Sequence, residues 1–400
     1  METPRLELTP GLRRMLEYRR FAGAPRMLVL ETGYFFDASW RRAARQLGWE
    51  SAAVASAMVG GLTRDQVRQF FATLCSFRPD FVLACNYSGM DDAGLLARFL
   101  EDARIPYVTH FTDAPRMILF DRVVHANPYA VAATWERAYL PYLHQIGFAH
   151  TLHWPLATDP ALFNGTPCHK TVRDVAFVGR SMALQAEEVW AKLAPYPEIV
   201  RKIEEILDRG VSKETFAHGI ETLLETVGIG PGANAARRHI ENAINYEHTR
   251  RQRAALIAAL APLHVCVHGD AGWNGIDATV GGPIGYFDDL ASFYRETAVN
   301  VNLTALQMPS ALNQRVFDCP AAGGFLLTDA QPDLEELFEP QEVAVYASFD
   351  EAHDKAAYFL QNPEKRVQIT IRAQARIAAR HTYAHRLSSL NAYLRDRFQT

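Results

Sequence analysis

Met27-Leu-Val-Leu30, Glu31-Thr32-Gly33 and the amphipathic run over 38–47 decide the fold. A short apolar stretch, a turn former and apolar residues at helical spacing predict strand, turn and helix. The alternation continues outward, with strands over 81–85, 107–110, 130–134 and 150–154 and helices over 63–77, 93–102 and 135–146. Short apolar strands alternating with helices predict a parallel sheet covered on both faces. Pro155-Leu-Ala-Thr-Asp-Pro160 is rich in turn formers and reads as the exit from a first domain.

A second series opens with a strand over 175–178, but its next strand, over 263–267, comes more than eighty residues later. Between them Ile199, Val200, Ile203, Ile206 and Leu207 fall at helical spacing, and 235–260 is a run of helix formers laced with charge. We expect a helical insertion over 182–262. Alternation resumes with a strand over 298–303, a helix over 311–321, a strand over 324–327, an apolar stretch over 334–338 and a strand over 343–346. A nearly continuous helix covers 364–398. The expected domains are 1–165, 166–379 and a C-terminal helix, 380–398, returning toward the first. Two such halves predict a cleft, with ligands beyond the carboxyl ends of the strands.

Composition excludes several classes. The 400 residues are 48% hydrophobic and 22% charged, enough for two domains, and 41 Lys and Arg against 45 Asp and Glu give a net charge of -4. No like-charge block is long enough to track a nucleic-acid backbone. The longest apolar run, Ala254 to Leu263, contains Pro262 and is half of the roughly 20 residues a membrane span needs. Charges occupy the place of a secretory signal's apolar core, so cytoplasmic residence is expected. Cys75, Cys85, Cys168, Cys266 and Cys319 are odd in number and widely spaced, which predicts thiols.

Some motifs carry no function. Gly228-Ile-Gly-Pro-Gly232 follows a helix, where a phosphate-binding loop must follow a strand, and reads as a helix–helix turn. Neither half's first strand leads into Gly-x-Gly-x-x-Gly, against a nicotinamide or flavin enzyme, and no Gly-x-Ser-x-Gly elbow is present. His264, Cys266 and His268 share one face of a strand, but no fourth metal ligand is nearby.

The stretch from Val299 to Asp329 is informative. A strand and loop lead to a helix expected to open near Pro309 and Ser310, whose free amides would suit a diphosphate. Asp318 is placed either to accept hydrogen bonds from ribose hydroxyls or to pair with Arg315 three residues away.

Arg315-Val-Phe-Asp-Cys-Pro-Ala-Ala-Gly-Gly-Phe-Leu-Leu-Thr-Asp329, Asp333-Leu-Glu-Glu-Leu-Phe-Glu-Pro340 and His381-Thr-Tyr-Ala-His-Arg386 resemble the carboxyl-terminal half of the CgeB-like glycosyltransferases, which are related to glycosyltransferase family 4. Val175-Ala-Phe-Val-Gly-Arg180 resembles the first strand and loop of the same half, and His110-Phe-Thr-Asp-Ala-Pro115 and Leu152-His-Trp-Pro-Leu-Ala-Thr-Asp159 carry a looser likeness in the first. The resemblance implies an α/β GT-B fold: two Rossmann-like domains facing a cleft, here with the insertion in the second. It implies transfer of a hexosyl group from a nucleotide diphosphate sugar, without a metal or other cofactor, to a glycan, protein or small molecule. The alternatives are a nucleotide-sugar binding or scaffold protein of this shape and a nucleotide-sugar epimerase.

The resemblance also implies a site. Asp318 matches the carboxylate that binds ribose, and the family's earlier glutamate falls at Ser310. Gly179 either lets the diphosphate approach or simply ends the strand, Arg180 either neutralises it with Arg315 or lies at the surface, and Asn313, Gly269 and Trp273 complete the donor side, the indole as a surface for the base or as a partly buried core residue. On the acceptor side Tyr34 and Phe35 either line the site or belong to a packed aromatic run, and His110 and Asp113 are the catalytic candidates, Asp113 as general base or as a cap on the turn before Pro115.

Overall fold

Runs such as Phe81-Val-Leu-Ala-Cys85, buried at every position, form the interiors of two parallel sheets, as strands covered on both faces require. The computed structural model describes residues 9–58, 60–229 and 234–399. Gly230, Pro231 and Gly232 of the glycine-rich stretch lie outside the described residues. The chain divides into two compact units, Met1–Pro155 with Thr382–Thr400, and Leu156–His381.

The first unit holds β1 (Arg26–Glu31), β2 (Glu50–Ala55), β3 (Phe81–Cys85), β4 (Tyr107–Phe111), β5 (Ala130–Thr134) and β6 (His150–His153), in the order β2-β1-β3-β4-β5-β6. The sequence pattern missed β2. Its Glu-Ser-Ala-Ala-Val-Ala has a single buried residue, Val54, because it runs along the sheet edge. The order reverses direction between β1 and β3, which pair in parallel with Leu30 opposite Ala84. The C-terminal helix Tyr383–Phe398 packs in this unit against the helix Phe35–Gln46.

The second unit holds β7 (Arg173–Val178), β8 (Cys266–His268), β9 (Thr279–Gly281), β10 (Thr297–Asn302), β11 (Leu326–Asp329) and β12 (Ala344–Tyr346), ordered β12-β11-β10-β7-β8-β9. Counted from β7 this is the 3-2-1-4-5-6 order of a dinucleotide-binding sheet, with its switch point between β7 and β10. Between β7 and β8 lie the helices Ala183–Leu193, Pro197–Arg209, Lys213–His218, Ile220–Val227 and Asn234–Leu260. They enclose a core of their own, including Ile203, Phe216, Leu224 and Ile244, and Leu306 from the loop after β10 is buried in it.

Three expected boundaries move. The helix expected from 311 begins only at Arg315 and ends at Ala321, because 311–314 are irregular, so no helix start stands at Ser310. The strand expected over 263–267 is shortened to β8 by a 3-10 turn, Ala261–Leu263, closed by His264 in a left-handed conformation (φ 54°). The long final helix breaks at His381 and Thr382, where the Thr382 hydroxyl accepts a hydrogen bond from the His385 amide and caps Tyr383–Phe398. The five cysteines are free thiols. Among the described residues no helix is long and apolar enough to cross a membrane.

Candidate functional site

Ligands of such sheets bind at the carboxyl ends of the strands flanking the switch point. In the second unit these are the ends of β7 and β10. Gly179 follows β7, its amide donating to His268 O at 2.9 Å. Its carbonyl accepts from the Trp273 indole at 2.8 Å, and the backbone at Gly269 approaches that carbonyl so closely that a Cβ would clash with it. Trp273 is therefore not a platform for a base. It is 2% exposed, packs edge-on against Phe177 and spends its N–H on the loop. The Arg180 side chain is exposed, while its carbonyl is held from below.

What holds it is Arg253, which sequence reasoning missed. The Arg253 guanidinium donates to Arg180 O at 2.5 Å and lies 5.8 Å from the Phe177 ring centre. Arg315 lies 5.3 Å from the same centre and donates to Asn302 Oδ1. Arg253 rides on the helix entering β8 and Arg315 on the helix entering β11, and right-handed crossovers place these on opposite faces of the sheet. The two cations thus converge at the switch point. Neither makes an ion pair among the described residues, and each guanidinium gives the protein a single hydrogen bond. Burial lowers the Arg253 pKa to about 9, with the positive charge of Arg315 adding to it, and burial lowers that of Arg315 as well. Two guanidiniums held this way are costly without an anion and suited to one.

Asn313 belongs to their support. Its amide donates to Asn302 Oδ1 at 2.8 Å, and its Oδ1 accepts from the Arg315 backbone at 3.2 Å. Asn302 in turn donates to Thr328 Oγ1 at 2.9 Å. Ser310 meets this unit through its carbonyl, which accepts from the Asp333 amide at 3.1 Å.

Asp318 does not pair with Arg315. It is 1% exposed, and its carboxyl accepts from Thr158 Oγ1 (2.7 Å), Gln314 Nε2 (2.9 Å) and Tyr286 Oη (2.8 Å). Burial outweighs these neutral donors and pushes its pKa up to about 7.

In the first unit the switch point lies at the ends of β1 and β3. After β1, Asp37 Oδ2 gathers the amides of Thr32, Gly33 and Tyr34 at 2.8, 3.0 and 3.2 Å, fixing the loop that presents Tyr34, which is exposed, and Phe35. The Tyr34 and Phe35 rings pack on each other at 4.7 Å. After β3, Asn86 and Tyr87 are consecutive left-handed residues (φ 48° and 61°). This is strain of the kind concentrated at functional sites. Asn86 accepts from the Thr112 amide and donates to Asp113 Oδ2, both at 2.9 Å, so it aims the half-buried Asp113. His110 lies inside β4. It is 1% exposed among Phe36, Trp40 and Trp154, donates Nε2–H to Trp154 O at 2.9 Å, and is held neutral by burial, its pKa lowered to about 3. It packs the core and does not face an acceptor. Among the described residues no three His, Cys, Asp or Glu side chains are grouped to hold a metal, and the His268 ring packs on Phe293 at 4.8 Å.

A family model described as glycosyl transferase-like matches residues 250–392, which include Arg253, Arg315 and Asp318. Among solved structures, the chain is similar to HepE of Anabaena in complex with UDP and glucose (13% identity, TM-score 0.53), covering 93% of this chain and 100% of that one. It is also similar to sucrose-phosphate synthase of Thermosynechococcus elongatus (11%, TM-score 0.52), covering 92% and 99%. A glycosyltransferase of Rickettsia africae is a third (9%, TM-score 0.53), covering 96% and 100%. No curated protein sequence is significantly similar to the chain. At these identities the likeness shows the fold, and the chain has the GT-B glycosyltransferase fold.

Proposed function

We propose that this protein is a glycosyltransferase that moves a hexosyl group from a nucleotide diphosphate sugar to an acceptor hydroxyl, in the cytoplasm and without a metal, as a CgeB-like relative of family 4. The observation that carries the reading is the pair of guanidiniums, Arg253 buried and Arg315 half-buried and neither ion-paired among the described residues, at the switch point of the nucleotide-binding type of sheet. In transfer the acceptor oxygen bonds to the anomeric carbon, and the bond from that carbon to the β-phosphate oxygen breaks. The electron pair leaves with the nucleoside diphosphate, whose charge Arg253 and Arg315 stabilise, with Arg180 at the rim. The ribose hydroxyls are assigned to Asp318. Asp113, aimed by Asn86, takes the acceptor's proton. Tyr34 and Phe35 contribute an apolar wall to the acceptor.

The HepE structure holds UDP, so uridine nucleotides are the first donors to try. Thermal melting with UDP- and GDP-sugars, followed by turnover with and without acceptors, tests the reading. A rise in melting temperature with one nucleotide sugar and turnover that needs an acceptor is the expected result. Turnover without any acceptor points to an epimerase, binding without turnover to a scaffold, and no shift with any nucleotide removes the reading.

A further inference from the structure

A groove of about 460 Å³ opens in the second unit at the carboxyl ends of β10, β11 and β12. Its walls include Leu303, Asp329 and Tyr346 from the strand ends and Phe349 from the start of the following helix. Lys213 and Gln252 of the helical insertion also line it. Lys213 Nζ lies 3.0 Å from Asp329 Oδ2, so an ammonium and a carboxylate sit side by side at the groove. Asp329 Oδ1 is fixed by the Thr304 amide and hydroxyl at 3.0 and 2.9 Å.

The groove borders the arginine pair through three shared supports. Gln252 immediately precedes Arg253 on its helix. Leu303 follows Asn302, which receives the Arg315 guanidinium, and Tyr346 Oη donates to the Asn302 carbonyl at 2.6 Å. The insertion is locked to the groove because Leu306, three residues past Leu303, is buried in the insertion's own core.

We infer that this groove binds the sugar ring of the donor, and that the helical insertion, through Lys213 and Gln252, sets which sugar is taken. The inference rests on the glycosyltransferase reading above. An ammonium–carboxylate pair and a primary amide offer donors and acceptors to neighbouring hydroxyls, while Leu303 and Phe349 supply the apolar surface that the C–H face of a pyranose covers. The volume falls in the range of small-molecule pockets, roughly 300 to 1,000 Å³, and few polar groups among apolar walls is their usual composition. A diphosphate held by Arg253 and Arg315 leaves its sugar beside this groove. Lys213 and Gln252 act on binding of the sugar and not on the nucleotide.

The test is calorimetric titration of the full chain and of Lys213→Met and Gln252→Leu with UDP alone and with UDP-glucose, UDP-galactose and UDP-N-acetylglucosamine. The expected result is that the best-bound UDP-sugar loses at least tenfold in affinity in each variant, while UDP changes by less than twofold. Unchanged UDP binding also shows that the variants are folded. Equal losses for UDP and UDP-sugar would give the groove to the nucleotide and overturn the inference, as would no loss for either. A wild-type protein that binds none of these ligands, nor GDP and its sugars, brings down the glycosyltransferase reading itself, an outcome distinct from the other two.

Discussion

Arg253 and Arg315 share one aromatic ring, that of Phe177, at 5.8 and 5.3 Å from its centre, although one belongs to the crossover entering β8 and the other to the crossover entering β11. Like charges brought together from opposite faces of a sheet, Arg253 buried and Arg315 half-buried, form an arrangement that a bound diphosphate would relieve.

Replacing either arginine by methionine therefore separates stability from binding. Arg253→Met and Arg315→Met each remove a cation, one buried and one half-buried, that repels its neighbour, so the unliganded protein should lose no more than about 1 kcal/mol. UDP affinity should fall by roughly ten- to a hundredfold, the loss of charge-assisted hydrogen bonds worth about 1.5 to 3 kcal/mol. Calorimetry beside thermal melting reads both quantities. Affinity unchanged in both variants would remove the diphosphate assignment.

Asp318 gives the protein a pH-dependent stability of defined sign. Its pKa in the fold, about 7, is above the ordinary 3.8, so the folded state holds a proton that the unfolded chain has lost. The stabilisation is complete below the unfolded value and disappears as pH rises through about 7. Between pH 5.5 and 8.5 this one group should withdraw about 2 kcal/mol of stability. Asp318→Asn cannot titrate, so denaturant unfolding of the variant should show that much less decline over the same interval than the wild type. Parallel curves for the two proteins would mean that Asp318 is ionised throughout.

Much of the fold was legible in the sequence, since buried parallel strands are continuous apolar runs. The strands that escaped notice are those the sheet edges leave without such runs: β2, with its alanines and one buried valine, and β9, where Thr279 and Val280 are exposed. The candidate site was harder to read. Asp318 stood out, but Thr158 and Tyr286, its partners, are 160 and 32 residues away. Arg253 carried no signal, being one arginine among Arg250, Arg251 and Arg253 on a charged helix, where Arg250 and Arg251 turn to Glu247 and only Arg253 turns inward. Ser310 misled because serine before a helical pattern is a good N-cap, whereas 311–314 stay irregular and Ala311 and Leu312 are buried by packing.

The two arginines proposed to hold the diphosphate also bear on metal dependence. If Arg253 and Arg315 carry the leaving group's charge, turnover should persist in excess EDTA within about twofold, and added magnesium or manganese should not raise it. Activity abolished by the chelator and restored by a divalent ion would show that the arginines alone do not suffice.

The proposed acceptor side turns on Asn86, whose left-handed backbone and two side-chain hydrogen bonds aim Asp113. If Asp113 removes the acceptor's proton, Asp113→Asn should lower kcat by about a hundredfold or more and leave the KM for the nucleotide sugar within twofold. Asn86 needs two substitutions, because its backbone and its side chain have separate effects. Asn86→Ala removes the bonds and keeps a side chain in a conformation that costs roughly 1 to 2 kcal/mol, whereas Asn86→Gly removes the bonds and accepts the conformation freely. Both should lower kcat by about tenfold, and the alanine variant should lower the melting temperature further than the glycine variant does. A kcat that falls with alanine and recovers with glycine would assign the effect to backbone strain and take the positioning of Asp113 away from the Asn86 side chain. A wild-type kcat in Asp113→Asn would take the proton transfer away from this loop altogether.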